Sequence, residues 1–200
     1  MLAEARQAPQ AVADQLAHNA DDYRDFGAVL RLQNPAAVLT VARGSSDHAA
    51  HFLAYLVMAR MGRLVTSLPM SLITLYQSQI ACKGLVSLAF SQSGQSPDLV
   101  APTRFFSEGG AVTAAFVNKA DSPLAQAAQW VFPLHAGIEA SVAATKSYIA
   151  QLVAGARVVA AWQGDPELQS ALSKLPDDLA RAAQMDWSVA LDVPLGVERL

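Results

Sequence analysis

The 200-residue chain predicts an α/β fold. The expected architecture is a three-layer sandwich built on a five-stranded parallel sheet, preceded by N-terminal helices. Three observations predict it. Short apolar runs of strand-forming residues alternate with longer segments of helical character. No two-residue turn signal joins any pair of those runs, so consecutive strands must cross over through helices and lie parallel. Three of the runs end in a turn of hydroxyls, amides and glycine, and each turn passes into a helix start.

Residues Met1 to Leu32 read as a helical lead-in, with Leu2, Val12, Leu16, Phe26 and Leu30 as apolar contacts and Pro9 and Gly27 as breaks or starts. Asn34-Pro35 punctuates the chain. Ala37 to Ala42 is the first buried strand, followed by Arg43-Gly44-Ser45-Ser46-Asp47 and a helix over 47–61 that the serines can cap. Gly62 ends that helix; Leu64 to Ser67 is a short strand and Met70 to Ile80 a helix. Leu85 to Phe90 is the third strand, an apolar run with the pattern of a strand buried on both faces. Ser91-Gln92-Ser93-Gly94-Gln95-Ser96 follows, then Pro97-Asp98, where Ser96 is the expected cap and proline suits the first helical turn. That helix runs to Glu108, and Gly109-Gly110 closes it. Ala111 to Val117 is the fourth strand, Ser122-Pro123 repeats the cap-then-proline start, and Trp130 to Leu134 is the fifth strand. The third polar turn, His135 to Lys146, leads into a helix over 145–163 that is apolar nearly all round. Gly164-Asp165-Pro166 breaks it, a further helix spans 167–185, and the last fifteen residues lack a clear closing element.

Hydrophobic residues make up 52% of the chain and charged residues 16%. The apolar surplus predicts a surface that meets another subunit or another domain, with the helix from Tyr148 to Trp162 and the N-terminal helices as the expected contacts of a homodimer. A net charge of −3 without a basic run offers no footprint for nucleic acid. The single cysteine, Cys82, excludes a disulfide framework and fits a reducing cytoplasm. No apolar run is long enough to span a bilayer, so no membrane partner is expected. His48 and His51 can share a helix face, but no third ligand completes a metal site. No cofactor is expected.

All three polar turns fall where a strand's carboxyl end meets a helix N-terminus. That is where open parallel sheets bind ligands. Free backbone N–H groups, serine hydroxyls and the positive end of a helix dipole converge there, and their natural occupant is a phosphate or another small anion. A nucleotide is a competing ligand for such turns, but the chain carries neither a G-x-G-x-x-G fingerprint with a ribose acid nor a P-loop.

Gly44-Ser45-Ser46, Ser91-Gln92-Ser93-Gly94 with Ser96, and Ser141-Val142-Ala143-Ala144-Thr145-Lys146 resemble the three signature loops of sugar isomerase (SIS) domains. These are flavodoxin-like phosphosugar-binding domains, and the resemblance covers residues 34–163. The wording is similar to the first SIS domain of glucosamine-6-phosphate deaminase-like proteins and of the isomerase part of glucosamine-6-phosphate synthase. Arg43 to His48 and Ser96 to Leu99 resemble the deaminase-like group in particular. The synthase pattern tends to place an acidic residue at Gln95 and threonine at Ser96. The resemblance implies that Ser91, Gln92, Ser93 and Ser96, in the turn bent by Gly94, hold a sugar phosphate. It implies that Ser45 and Ser46, after Gly44, bind phosphate or sugar hydroxyls, and that Val142 and Ala143 offer backbone groups to the sugar. Glu139 and Lys146 become candidates to orient or polarise the sugar; the alternative for both is a solvent-facing charge near a helix start.

Family enzymes carry two such domains, and their ring-opening histidine and base glutamate come from the second. The expected division of this chain is a helical lead-in over 1–34, an SIS domain over 35–165, and a helix and linker over 166–200 leading toward a second SIS domain that the chain does not contain. Glutamine-fed amination is not expected of this chain alone. Two functions stand open. One is aldose–ketose isomerisation, with or without deamination, of a glucosamine 6-phosphate or fructose 6-phosphate type substrate. The other is a non-catalytic sugar-phosphate-binding module, or one half of such an enzyme.

Overall fold

The computed structural model describes residues 1–188. Five parallel strands form one sheet in the order β2-β1-β3-β4-β5. They are β1 (Ala37–Val41), β2 (Leu64–Ser67), β3 (Val86–Ser91), β4 (Val112–Val117) and β5 (Trp130–Pro133). The expected α/β sandwich is therefore present, with each strand within a residue of its expected bounds. The reason is local for the inner strands: β1, β3 and β4 are short apolar runs that a doubly covered sheet buries, while the edge strand β2 stays largely exposed.

Side chains alternate across the sheet as the pleat requires. Val86, Leu88 and Phe90 of β3 face one core with Ala114, Phe116 and Phe132. Ala89, Ala115, Val117, Leu39 and Val41 face the other. Phe90 pairs with Phe116 and Phe116 with Phe132 across the strands. Their rings stack at centroid separations of 4.5 and 5.1 Å. This aromatic row lies one residue below the carboxyl rim at Ser91 and Val117.

The first core is closed by α2 (Ala20–Gln33), α3 (Ser45–Met61) and α7 (Lys146–Gln163). The second is closed by α4 (Ser71–Thr74), α5 (Pro97–Glu108) and α6 (Pro123–Ala127). Outside α7 lie α1 (Leu2–Ala17) and α8 (Pro166–Gln184), which enclose Val12, Val153, Ala156, Ala160 and Leu172.

That outer layer corrects two expectations. The apolar helix α7 was expected to meet another subunit, but α1, α2, α3 and α8 of the same chain already cover it. Its apolar circumference is satisfied within the fold. Pro9 and Gly27 were expected to break helices, yet each lies inside one. Packing of Ala8, Ala11 and Val12 outweighs the hydrogen bond that Pro9 removes. Gly27 is a notch: an added Cβ would lie 2.5 Å from the Ala161 carbonyl oxygen of α7. The helix expected over 70–80 shrinks to Ser71–Thr74, because Gln77 turns the chain at φ 50° and Ser78 N–H bonds back to the Leu72 carbonyl. Of the last fifteen residues, 189–200 lie outside the described part.

Candidate functional site at the carboxyl rim

Strands β1 and β3 are neighbours, but their helices leave to opposite sides: α3 covers the first core and α5 the second. This is a topological switch point, where the two departing loops open a crevice beyond the strand ends. Gly44-Ser45-Ser46 forms one lip and Ser91 to Ser96 the other.

Gly44 takes φ 58° and ψ −138°, a conformation costly for any side chain. It ends β1 abruptly and starts α3 at Ser45. The serines were expected to cap α3; they sit inside its first turn instead, and no side chain caps it. Ser96 has the extended backbone of a cap residue, but its hydroxyl makes no capping bond to α5. The other long-loop helices of this rim are closed. Ser122 accepts from Ala125 N–H at the start of α6. Glu139 accepts from the Thr145 and Ser147 amides at the start of α7, at 3.0 and 3.1 Å, and from the Ser147 hydroxyl. The two helix N-termini at the switch point thus lack a side-chain cap, as does the one-turn α4 after β2, and the dipoles of the two longer helices favour an anion at the crevice.

The second lip is rigid. Ser91 is buried, and its hydroxyl oxygen accepts the Gly94 N–H at 3.0 Å. Ser93 accepts the Gln95 N–H at 3.3 Å. Gly94 has φ 63°, and its carbonyl accepts the Leu124 N–H at 3.1 Å. Gln92 carbonyl accepts the Asn118 N–H at 3.1 Å. Arg43, on the first lip, forms an ion pair with Asp98 in the first turn of α5, tying the lips together.

A cleft of about 870 Å³ continues from this lip along the rim. Gln92, Ser93 and Glu139 line it, beside Asp14, His18, Asn118, Lys119 and His135. Asn118 joins its walls: its amide donates to the Gly137 carbonyl at 2.7 Å and its oxygen accepts the Ala136 N–H at 2.9 Å. His18 and His135 stack with centroids 4.4 Å apart, and His135 Nε2 meets Asn19 Oδ1 at 2.9 Å. Burial, reinforced by His18 and Arg157, lowers the His135 pKa against the opposing effect of Asp14. A second cleft, of about 670 Å³ beside α2 and α8, contains Arg24, Arg31 and Arg157. Those arginines are committed to the fold, Arg31 and Arg157 to backbone carbonyls and Arg24 to Asp21 and Asp25.

The third loop lends His135, Gly137 and Glu139 to this cleft, while its residues from Ala140 onward stand outside the lining. Ala140 and Ser141 amides donate to Glu4 Oε1 at 2.7 and 3.1 Å, so α1 straps this loop. Hydrogen bonds from Ser141 and Ala140 hold the Glu4 carboxyl down at about 2, so the strap stays ionised far below neutrality. Val142 and Ala143 stand exposed at the surface, outside the cleft lining. Glu139 and Lys146 are not solvent-facing charges: Glu139 closes α7, and Lys146 is buried with Nζ 2.8 Å from Gln7 Oε1. His48 and His51 are exposed on α3, with His51 Nδ1 at 2.8 Å from the Asp47 carbonyl.

Reading the sequence missed Asn118, His18 and His135 as parts of this cleft. Asn118 had a usable signal, since it directly follows a strand at the ligand-binding rim. His18 had none; only the packing of α1 over α7 brings it there.

Replacing Glu139 by alanine is expected to lower stability by about 1–3 kcal/mol, the cost of leaving helix-terminal donors unpaired. Glu139→Gln keeps an accepting oxygen and loses less. A thermal melt unmoved by Glu139→Ala would contradict the capping role.

Residues 31–161 match the SIS domain family model. A glutamine–fructose-6-phosphate aminotransferase (isomerizing) of Methanothermobacter thermautotrophicus is 32% identical over 184 residues, which are 92% of this chain and 30% of that protein. The crystal structure of a protein from Silicibacter pomeroyi DSS-3, assigned as a phosphosugar isomerase, superposes with a TM-score of 0.90 at 43% identity, covering 94% of this chain and 57% of that one. The C-terminal domain of glucosamine-fructose-6-phosphate aminotransferase from Francisella tularensis shares the fold, with a TM-score of 0.68 at 19% identity over 90% of this chain and 52% of that one. The chain spans about a third of that curated relative and little over half of the Silicibacter protein.

Proposed function

The chain belongs to the SIS domain family, and on that premise we propose that it binds the phosphate of a hexose or aminosugar 6-phosphate at the switch point between β1 and β3. One observation carries the reading: the α3 and α5 N-termini, on either side of that crevice, both lack a side-chain cap, while Ser122 and Glu139 close α6 and α7. Ser45, Ser46, Ser93 and Ser96 supply hydroxyls and first-turn amides to the phosphate oxygens. Ser91 and Gly94 hold the turn in shape. Gln92, Asn118 and His135 face the sugar along the cleft, and Val142 and Ala143 reach it only if their loop moves inward.

Isomerisation between aldose and ketose needs a base that moves a proton between C1 and C2. The two residues that the resemblance offers for such work are occupied, Glu139 by the start of α7 and Lys146 by Gln7. That favours a division of labour. This stretch binds the phosphosugar, and the acid–base groups of a glucosamine-6-phosphate isomerase or deaminase come from a partner domain or a second copy. The same reading places the protein in the cytoplasm as a homodimer. With α7 covered, the exposed row Phe52, Tyr55 and Met58 on α3 is the contact we assign. A monodisperse monomer in light scattering at micromolar concentration would count against it.

The test of binding is thermal. Fructose 6-phosphate or glucosamine 6-phosphate at a hundred times its Kd stabilises a one-site protein by about 2.7 kcal/mol. The unphosphorylated sugars are expected to do far less. Equal shifts with fructose and fructose 6-phosphate would remove the phosphate from the reading. Release of ammonia and fructose 6-phosphate from glucosamine 6-phosphate by this chain alone, at dilutions where it is monomeric, would overturn the division of labour.

A further inference from the structure

We infer that Arg43 is the cation that pairs with the substrate phosphate, and that Asp98 positions it. The inference deepens the phosphosugar reading and rests on it. Arg43 is the residue immediately before Gly44, and Asp98 lies in the first turn of α5. Their ion pair therefore spans the two lips of the switch-point crevice. Arg43 Nη1 donates a hydrogen bond to Asp98 Oδ2, and the side chain is 58% exposed. A guanidinium has five donors in a fixed planar fork. One edge held by Asp98 leaves the rest of the fork available to a second acceptor.

The charge of the crevice calls for such a group. A phosphate monoester carries close to two negative charges at neutral pH. Hydroxyls and helix ends supply only partial charge. Asp98 adds a full negative charge at one of the two helix starts, and without Arg43 it would repel the ligand those starts attract. An arginine that bridges a carboxylate and a phosphate resolves both problems, since its fork matches either partner bidentately. Lysine could neutralise Asp98 but lacks the fork that presents paired donors to a carboxylate and a phosphate at once.

The competing role for Arg43 is to mask Asp98 without touching the ligand, and paired substitutions separate the two. The affinity of the 200-residue chain for fructose 6-phosphate is measured by calorimetry, with fructose as the control. Arg43→Ala is expected to weaken fructose 6-phosphate binding about 10- to 100-fold, the cost of losing a hydrogen-bonded charge partner. Its melting temperature should barely move, because an exposed ion pair contributes little to stability. Arg43→Lys is expected to recover only part of the affinity. The double variant Arg43→Ala/Asp98→Asn is expected to stay as weak as Arg43→Ala. Binding by Arg43→Ala within threefold of the unsubstituted chain, or restoration of binding in the double variant, would overturn the inference while leaving the phosphosugar reading intact. Failure of the unsubstituted chain itself to bind the phosphate ester would sink both.

Discussion

A chain carrying Gly94→Ala is expected to lose fructose 6-phosphate binding and to melt about 6–12 °C lower, the shift that about 3 kcal/mol produces in a domain of this length. Two separate costs contribute to that figure. Gly94 has φ 63°, and holding an L-residue there costs on the order of 1–2 kcal/mol. A Cβ would also lie 2.5 Å from Ser122 Cβ and overlap the Ser122 hydroxyl, a clash of the kind that costs about 1–3 kcal/mol. Relief requires the turn to move away from α6. That breaks the Gly94 carbonyl bond from Leu124 N–H and the Ser91 bond from Gly94 N–H. The lip of the crevice then loses its shape, so binding falls further than stability alone predicts. Gly94→Ala with Ser122→Gly removes the clash but keeps the backbone cost, and should recover only part of the melting point. Calorimetry on the single and double variants checks both halves. Wild-type affinity in Gly94→Ala would show that this turn does not hold the phosphate.

Arg157→Met is expected to destabilise the fold strongly. Arg157 is 8% exposed on α7. It donates to the Gln15 and His18 carbonyls at 2.6 and 2.8 Å, closing the C-terminal end of α1, and stacks over Tyr23 at 3.9 Å. Burial pulls its pKa down and pushes that of Tyr23 up, yet a guanidinium stays charged at any ordinary pH. Methionine fills much of the space but takes the guanidinium donor from both carbonyls, leaving Gln15 only the His18 N–H. Loss of two charge-assisted hydrogen bonds costs about 3 kcal/mol or more. Lysine should not rescue it, since a point charge cannot pair with both carbonyls and stack on a ring. His18 follows Arg157, so the His18–His135 stack should loosen as well. Thermal denaturation and amide exchange along α1 read the effect; unchanged exchange in residues 2–17 would contradict it.

Both predictions depend on residues whose importance differs in legibility. Gly94 stood out in the sequence because strand, polar turn and Ser96-Pro97 lie within a dozen residues. Arg157 did not, because its partners are more than a hundred residues away. The same contrast runs through the site. Ser91, Gln92 and Ser93 were legible as a turn at a strand's end. The use of Glu139 as the cap of α7 was not, since it depends on how the loop from His135 to Thr145 folds back. Serine at a helix start suggested capping at Ser45, Ser46 and Ser96, and local chemistry erred there: capping depends on where the helix begins and which way the hydroxyl turns.

By itself the sequence determined the strands, their parallel arrangement and the row of polar turns at one rim, because apolar runs and turn residues act over a few neighbours. Only the tertiary structure decided that α1 and α8 cover α7, that Arg43 reaches Asp98, and that His18 stacks on His135. Those contacts join distant parts of the chain. They exist because burying the apolar circumference of α7 draws the N-terminal helices over it, and no local pattern of residues encodes where that folding-over ends.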